Sequence, residues 1–234
     1  MNVTMIGHST VLVKAGGKKI LTDPYFGEWG NIAFKRRDKP AVSREELAKV
    51  DAVLVSHLHW DHIDGKYFRS LGDVPVFCPK SAVVLLRLMG AKNVTGMGPW
   101  ESSSIDGTTV TAVPALHLAP TIGFVLESED RRVYFAGDTF YRPFMTEIGG
   151  KFRLDAALLP VTTFRIPMTM GEKQAVKAVQ ALKPSVVIPI HLGIVPRSPL
   201  LRTGHTVQGF VRRLEEHGDT TRVVQLAPGG SHTV

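Results

Sequence analysis

Residues 57–62 read His-Leu-His-Trp-Asp-His, placing four metal-capable side chains within six positions. They follow Asp51-Ala-Val-Leu-Val-Ser56, a short apolar run that reads as a buried strand. In an extended segment alternate side chains point the same way, so His57, His59 and Asp61 share one side while His62 turns another way. Two imidazoles and a carboxylate on one side make a chelate, and a neighbouring imidazole aimed elsewhere suggests a second metal position.

The same pattern recurs downstream. His117 ends Val110-Thr-Ala-Val-Pro-Ala-Leu116, Asp138 follows Val133-Tyr-Phe-Ala-Gly137, and His191 follows Val186-Val-Ile-Pro-Ile190. Each is a ligand-type residue just past an apolar run rich in β-branched residues. Such residues gather at the C-terminal ends of strands in α/β proteins, where loops bring distant positions together. Singly each is a weak signal, and the ordered set of seven carries the weight.

That set resembles the metallo-β-lactamase-fold hydrolases, whose His-x-His-x-Asp-His motif the hexapeptide matches. The resemblance implies one metal on His57, His59 and His117, a second on Asp61, His62 and His191, and Asp138 bridging them. Within the family the chain is most similar to the branch of ascorbate-phosphate lactonase-like and N-acyl-phosphatidylethanolamine phospholipase D-like proteins. The segments that carry this are Gly7-His-Ser-Thr-Val-Leu-Val13, Leu21-Thr-Asp-Pro24, Phe135-Ala-Gly-Asp-Thr139, Leu158-Leu-Pro160 and Pro189-Ile-His-Leu-Gly193. An intact Asp138 points to phosphodiesters, lactones, thioesters or other esters, and away from β-lactams.

Two divalent ions about 3.5–4 Å apart can share a water and lower its pKa toward neutrality, giving a bridged hydroxide that attacks phosphorus or a carbonyl carbon. Mixed His and carboxylate ligands suit zinc and are compatible with manganese, iron or nickel. Asp61 is expected to help orient the nucleophile besides binding metal. His8, which follows the first strand, is expected to reach the pocket as a catalytic or substrate-contacting group. The imidazoles need acceptors for their remaining N–H groups, and Asp23 and Asp64 are the candidates. Arg165 and Arg197 are candidate contacts for an anionic substrate. Thr163, Phe164, His205 and the irregular Gly193–Gly204 stretch are further cleft candidates. A thioesterase, or a degenerate relative kept as a metal-binding protein, is the alternative; the complete ligand set argues against the latter.

Composition fits one enzyme domain spanning residues 1–234. The chain carries 28 Lys and Arg against 21 Asp and Glu, a net charge of +7, which favours a small anionic substrate. There is no interleaving of aromatic and basic residues for stacking bases, so nucleic acid ranks low as a partner. No apolar run is long enough to span a bilayer, and the N-terminus lacks the build of a signal peptide. The single Cys78 reads as a core thiol, a cytoplasmic location is the default, and a homo-oligomer is compatible. The Lys35-Arg36-Arg37 cluster lies in a segment without periodicity, Tyr25 to Val42.

The elements that must hold this set read as an α/β four-layer αββα sandwich, the metallo-β-lactamase fold. Strands are expected at Val3–Ile6, Thr10–Ala15, Lys19–Thr22, Val53–Ser56, Val76–Cys78, Val110–Val113, Ile122–Glu127, Arg132–Phe135, Ala156–Pro160, Val186–Ile190 and Arg222–Leu226. Helices are expected at Ser81–Met89, Tyr141–Ile148, Gly171–Leu182 and Thr206–His217.

Overall fold

A computed structural model describes residues 1–234. The first sheet is built from β1 (Asn2–Gly7), β2 (Thr10–Ala15), β3 (Lys18–Thr22), β5 (Ala52–Leu54), β6 (Pro75–Pro79), β7 (Asn93–Met97) and β16 (Ser231–Thr233), in the order β16-β1-β2-β3-β5-β6-β7. The second is built from β8 (Ser102–Ile105), β9 (Thr108–Pro114), β10 (Ile122–Ser128), β11 (Arg131–Phe135), β12 (Ala156–Pro160), β13 (Val186–Ile190) and β15 (Arg222–Val223), in the order β15-β13-β12-β11-β10-β9-β8. A two-stranded ribbon pairs β4 (Phe34–Arg36) with β14 (Ile194–Pro196).

Strand alternation sorts the apolar side chains into layers. Val11, Val13, Ile20 and Leu54 of the first sheet meet Phe124, Leu126, Phe135 and Ile188 of the second in the central core. Their neighbours Leu12, Leu21 and Val53 point the other way, onto Tyr67 and Phe68 of α1 (Gly65–Ser70) and Leu86 of α2 (Val83–Leu88). Val125, Tyr134 and Val187 pack on α3 (Phe144–Lys151), α4 (Glu172–Leu182) and α5 (Val207–Glu216). The result is the expected helix–sheet–sheet–helix sandwich.

Strand direction then fixes where the site must be. β1 and β3 flank β2 antiparallel, and β3, β5 and β6 are parallel, so β1, β3 and β5 all end on one edge. In the second sheet β9, β11, β12 and β13 likewise run together. The two edges are stitched by backbone hydrogen bonds, His191 N–H donating to His8 O at 3.1 Å and Ile122 N–H to Ser56 O at 3.1 Å.

Several elements depart from expectation. The helix expected at Tyr141–Ile148 begins at Phe144 behind Pro143 and runs through Gly149 and Gly150 to Lys151. Proline disfavours helical backbone in the residue before it. Gly149 does not end the helix, because it is where α3 touches α4: a Cβ there would sit 2.4 Å from Ala181 O. The segment expected as one helix from Ser81 is a single 3-10 turn followed by α2, and Ser81 does not cap it. α1, β4, β7, β8, β14 and β16 were not expected. The last expected strand, Arg222–Leu226, shortens to β15.

Candidate metal centre

The hexapeptide begins at His57, just past the end of β5 at Leu54, and its side chains divide between two groups. His57, His59 and His117 form one group with one nitrogen from each within 4.8 Å of the others. Asp61, His62 and His191 form a second group with His8. Asp138 lies between them: its Oδ2 is 3.1 Å from His191 Nε2, 3.5 Å from His62 Nε2 and 3.8 Å from His117 Nε2. All seven ligand-type residues are thus brought together at the strand ends.

The hydrogen bonds behind the imidazoles decide which nitrogens face inward. Asp23, fully buried at the end of β3, accepts from Ser56 N–H at 2.6 Å, from Ser56 Oγ at 2.6 Å and from His62 Nδ1 at 2.6 Å. The Ser56 hydroxyl, its proton given to Asp23, is left as an acceptor for His57 Nδ1–H at 2.9 Å. Both imidazoles therefore carry a proton on Nδ1 and turn Nε2 into the centre. His57 Nε2, His62 Nε2 and Asp138 Oδ1 are buried without a hydrogen-bond partner. Buried polar atoms seldom go unpaired, so a convergent set of them fits a cation. On the first group, His59 Nδ1 and His117 Nε2 approach to 3.0 Å, again from two rings that converge.

Charge follows the same pattern. Burial alone would raise Asp61, but His191 and His8 beside it hold its carboxyl well below the usual range. Asp138 is likewise held low against burial by His191 and His62. Burial keeps His57 well below, and His117 down at about 4, so both are neutral imidazoles near pH 7. His191 sits at about 9 because Asp138 and Asp61 overcome its burial.

The backbone is bent to make this geometry. His8, Asp23 and His191 have φ of 60°, 36° and 61°, a left-handed region that non-glycine residues rarely occupy and that clusters at functional sites. Gly137, with φ of 56°, precedes Asp138, and a Cβ on it would lie 2.5 Å from Ser56 Cβ.

The residues named around the metal set fare unevenly. Asp23 is where an acceptor was expected. Asp64 is not: its Oδ1 accepts from Lys66 N–H and Tyr67 N–H as the cap of α1, and its Oδ2 pairs with Arg44 at 3.0 Å. Both oxygens are thereby committed away from the imidazoles. His8 is buried, its Nδ1 accepts from Gly193 N–H at 3.2 Å, and its Nε2 is 3.3 Å from Asp61 Oδ2. That Nε2 has no hydrogen-bond partner and lies within 4.8 Å of ligand atoms of Asp61, His62 and His191. Arg165 and Arg197 are exposed, and neither lines the cavity over the centre. Arg165 is turned out by its loop, and Arg197 Nε is held by Asn31 O at 3.0 Å. Ser56, which nothing in the sequence marks as more than the end of a strand, is the residue that joins His57 to Asp23.

That cavity, about 200 Å³, is lined by His59, Asp61, His117, Asp138 and His191 on its floor and by Phe34, Trp60, Phe164, Met168 and Ile194 on its walls. Phe34 stands 5.1 Å from Phe164 and 6.3 Å from Trp60, ring centre to ring centre. Trp100 lies outside this cavity, with Lys151 Nζ over its ring at 3.8 Å. No helix is long and apolar enough to cross a membrane.

Comparison with known proteins agrees with this architecture. Residues 18–192 match the family model described as a beta-lactamase superfamily domain. A UPF0173 metal-dependent hydrolase of Methanopyrus kandleri is 32% identical over 253 aligned positions, covering 99% of each chain. A metallo hydrolase from the archaeon Ignicoccus hospitalis superposes with a TM-score of 0.81 at 26% identity, covering 100% of this chain and 97% of the other. An isothiocyanate hydrolase from Delia radicum gut bacteria shares the fold, with a TM-score of 0.82 at 22% identity and coverage of 100% and 99%. The chain therefore belongs to the UPF0173 metal-dependent hydrolases of the β-lactamase superfamily.

Proposed function

We propose that the protein is a two-metal hydrolase that cleaves a lactone, another ester or a phosphodiester in a small anionic substrate. The observation that carries this is the convergence of unpartnered Nε2 and carboxylate atoms, with their imidazoles fixed from behind by Ser56 and Asp23. His57, His59 and His117 would hold one ion, Asp61, His62 and His191 the other, and Asp138 both. Zinc suits this donor set best, with manganese, iron or nickel compatible. Bound there, the ions would supply an acidified water and a Lewis acid for the substrate oxygen.

The chain's own residues do the rest. Asp61, held as a carboxylate between His8 and His191, can accept a proton from the attacking water. The water oxygen bonds to the carbonyl carbon or phosphorus, the bond to the leaving oxygen breaks, and that oxygen departs with a proton. His8 is a positioning residue, since it touches Asp61 and Gly193 and does not line the cavity over the centre. Phe34, Trp60 and Phe164 keep bulk water from the reacting bond.

The apolar walls also favour a second reading, a small uncharged electrophile such as the isothiocyanates that the Delia radicum gut protein is named for. Both readings are tested by one assay: hydrolysis of a phosphorylated sugar lactone, a generic phosphodiester and an aryl isothiocyanate by zinc- and manganese-loaded protein, with Asp61→Ala as blank. Turnover of the lactone or diester that the blank lacks supports the first reading, and turnover of the isothiocyanate alone supports the second. No turnover of any, with metal bound, refutes both.

A further inference from the structure

A second cavity, about 470 Å³, adjoins the first and shares Phe164 and Ile194 with it. Its walls carry Lys35, Arg37, Arg202 and His205, and no Asp or Glu. The charge is sorted by strand alternation in β4. Arg36 turns inward, its guanidinium over the Tyr25 ring at 4.7 Å and bonded to Tyr25 O, Gly27 O and Asp38 O. Lys35 and Arg37, one position to either side, face the cavity together. The first turn of α5, Thr206–Gln208, closes another wall, and helix-end amides there add to the positive potential. The buried Glu172 carboxylate behind this wall is already engaged by Arg213 at 2.8 Å and Thr206 N–H at 2.8 Å. Arg37 is partly offset by Asp38 at 2.8 Å, whereas Lys35 has no acidic partner within 4 Å.

We propose that this basic cavity is a subsite for a phosphate or carboxylate group of the substrate, whose scissile bond lies across Phe164 at the metal centre. The proposal rests on the hydrolase reading above and gives the anionic group a seat that Arg165 and Arg197 do not provide. Specificity then divides between two places. The apolar slot accepts the reacting group, and the basic cavity selects for charge at a fixed distance from it.

The test uses the metal-loaded full chain and the Lys35→Gln/Arg37→Gln double variant, Lys35 being exposed on the short ribbon and Arg37 exposed just past its end. Inorganic phosphate and glutarate are titrated calorimetrically. In parallel, kcat/KM is measured for mono-4-nitrophenyl glutarate against uncharged 4-nitrophenyl valerate. The proposal expects binding of at least one anion that weakens about tenfold or more in the variant, and a glutarate-to-valerate preference that falls by a similar factor through KM. Tighter phosphate points to a phosphorylated substrate, tighter glutarate to a carboxylic one. Binding that the variant retains in full reports the metal centre and overturns the subsite, as does an absence of binding at millimolar anion. If neither ester is hydrolysed but anion binding is lost in the variant, esterolysis fails as a reading and the anion site stands.

Discussion

Removing one hydroxyl, in Ser56→Ala, is expected to loosen the metal centre without touching a metal-facing atom. Ser56 Oγ gives its proton to Asp23 and takes one from His57 Nδ1, at 2.6 and 2.9 Å, in a fully buried position. The bond to Asp23 is charge-assisted, worth about 1.5–3 kcal/mol, and the bond from His57 about 1 kcal/mol. Without the hydroxyl, His57 Nδ1–H is buried unpaired, and the ring can relieve this by exchanging tautomer or turning. Either movement spoils the Nε2 lone pair. Losing such a partner costs about 10–100-fold in metal affinity. Stability should fall by about 2–4 kcal/mol, large against the roughly 5–15 kcal/mol of a typical domain. Competition with a chromogenic chelator measures the affinity, and denaturant unfolding of metal-free protein measures the stability. Affinity within twofold of the parent would refute the reasoning, because His57 would then be oriented without Ser56.

Other consequences follow from individual contacts. Gly137→Ala drives a Cβ into Ser56 at a left-handed φ and should cost about 2–4 kcal/mol, read by denaturant unfolding, with metal affinity reduced as well. Glu172→Gln weakens the tie between α4 and α5 and should lower stability by about 1–3 kcal/mol. Because Arg213 and the Thr206 amide, acting against burial, hold the Glu172 carboxyl below its ordinary value, its contribution is present above pH about 4.5 and lost as pH falls further; the parent and variant melting curves should therefore converge in acid. Cys78, fully buried and pushed by burial up to about 12, should resist iodoacetamide at pH 8 in folded protein and react on unfolding. Arg165→Ala should leave KM for an anionic ester within twofold, since the side chain lies outside both cavities.

The seven ligand-type residues were legible because each follows an apolar strand, and parallel strands deliver their ends to one edge. Asp23 was legible as a candidate only; an Asp before Pro serves equally as a turn residue, and what decides is the parallel pairing of β3 with β5 that sets it beside Ser56. Ser56 itself has no signature, since a serine closing an apolar run looks like any strand end. Asp64 went the other way: Asp-Gly ahead of a short helix is cap chemistry, and α1 was too brief for periodicity to reveal. The ribbon of β4 and β14 was hidden for a similar reason, three residues each with charges or proline among them. Its pairing splits the Lys35-Arg36-Arg37 cluster into one structural and two cavity-facing cations. The outward turn of Arg165 and Arg197 has no sequence signature, because only the contacts of the segments after β12 and β14 determine it.

Crystals grown with zinc and measured by anomalous diffraction at the zinc edge test the central claim most directly. The account predicts two peaks per chain, one among His57, His59 and His117 and one among Asp61, His62 and His191, both within coordination distance of Asp138. A single peak at saturating zinc, or peaks on other side chains, would contradict it.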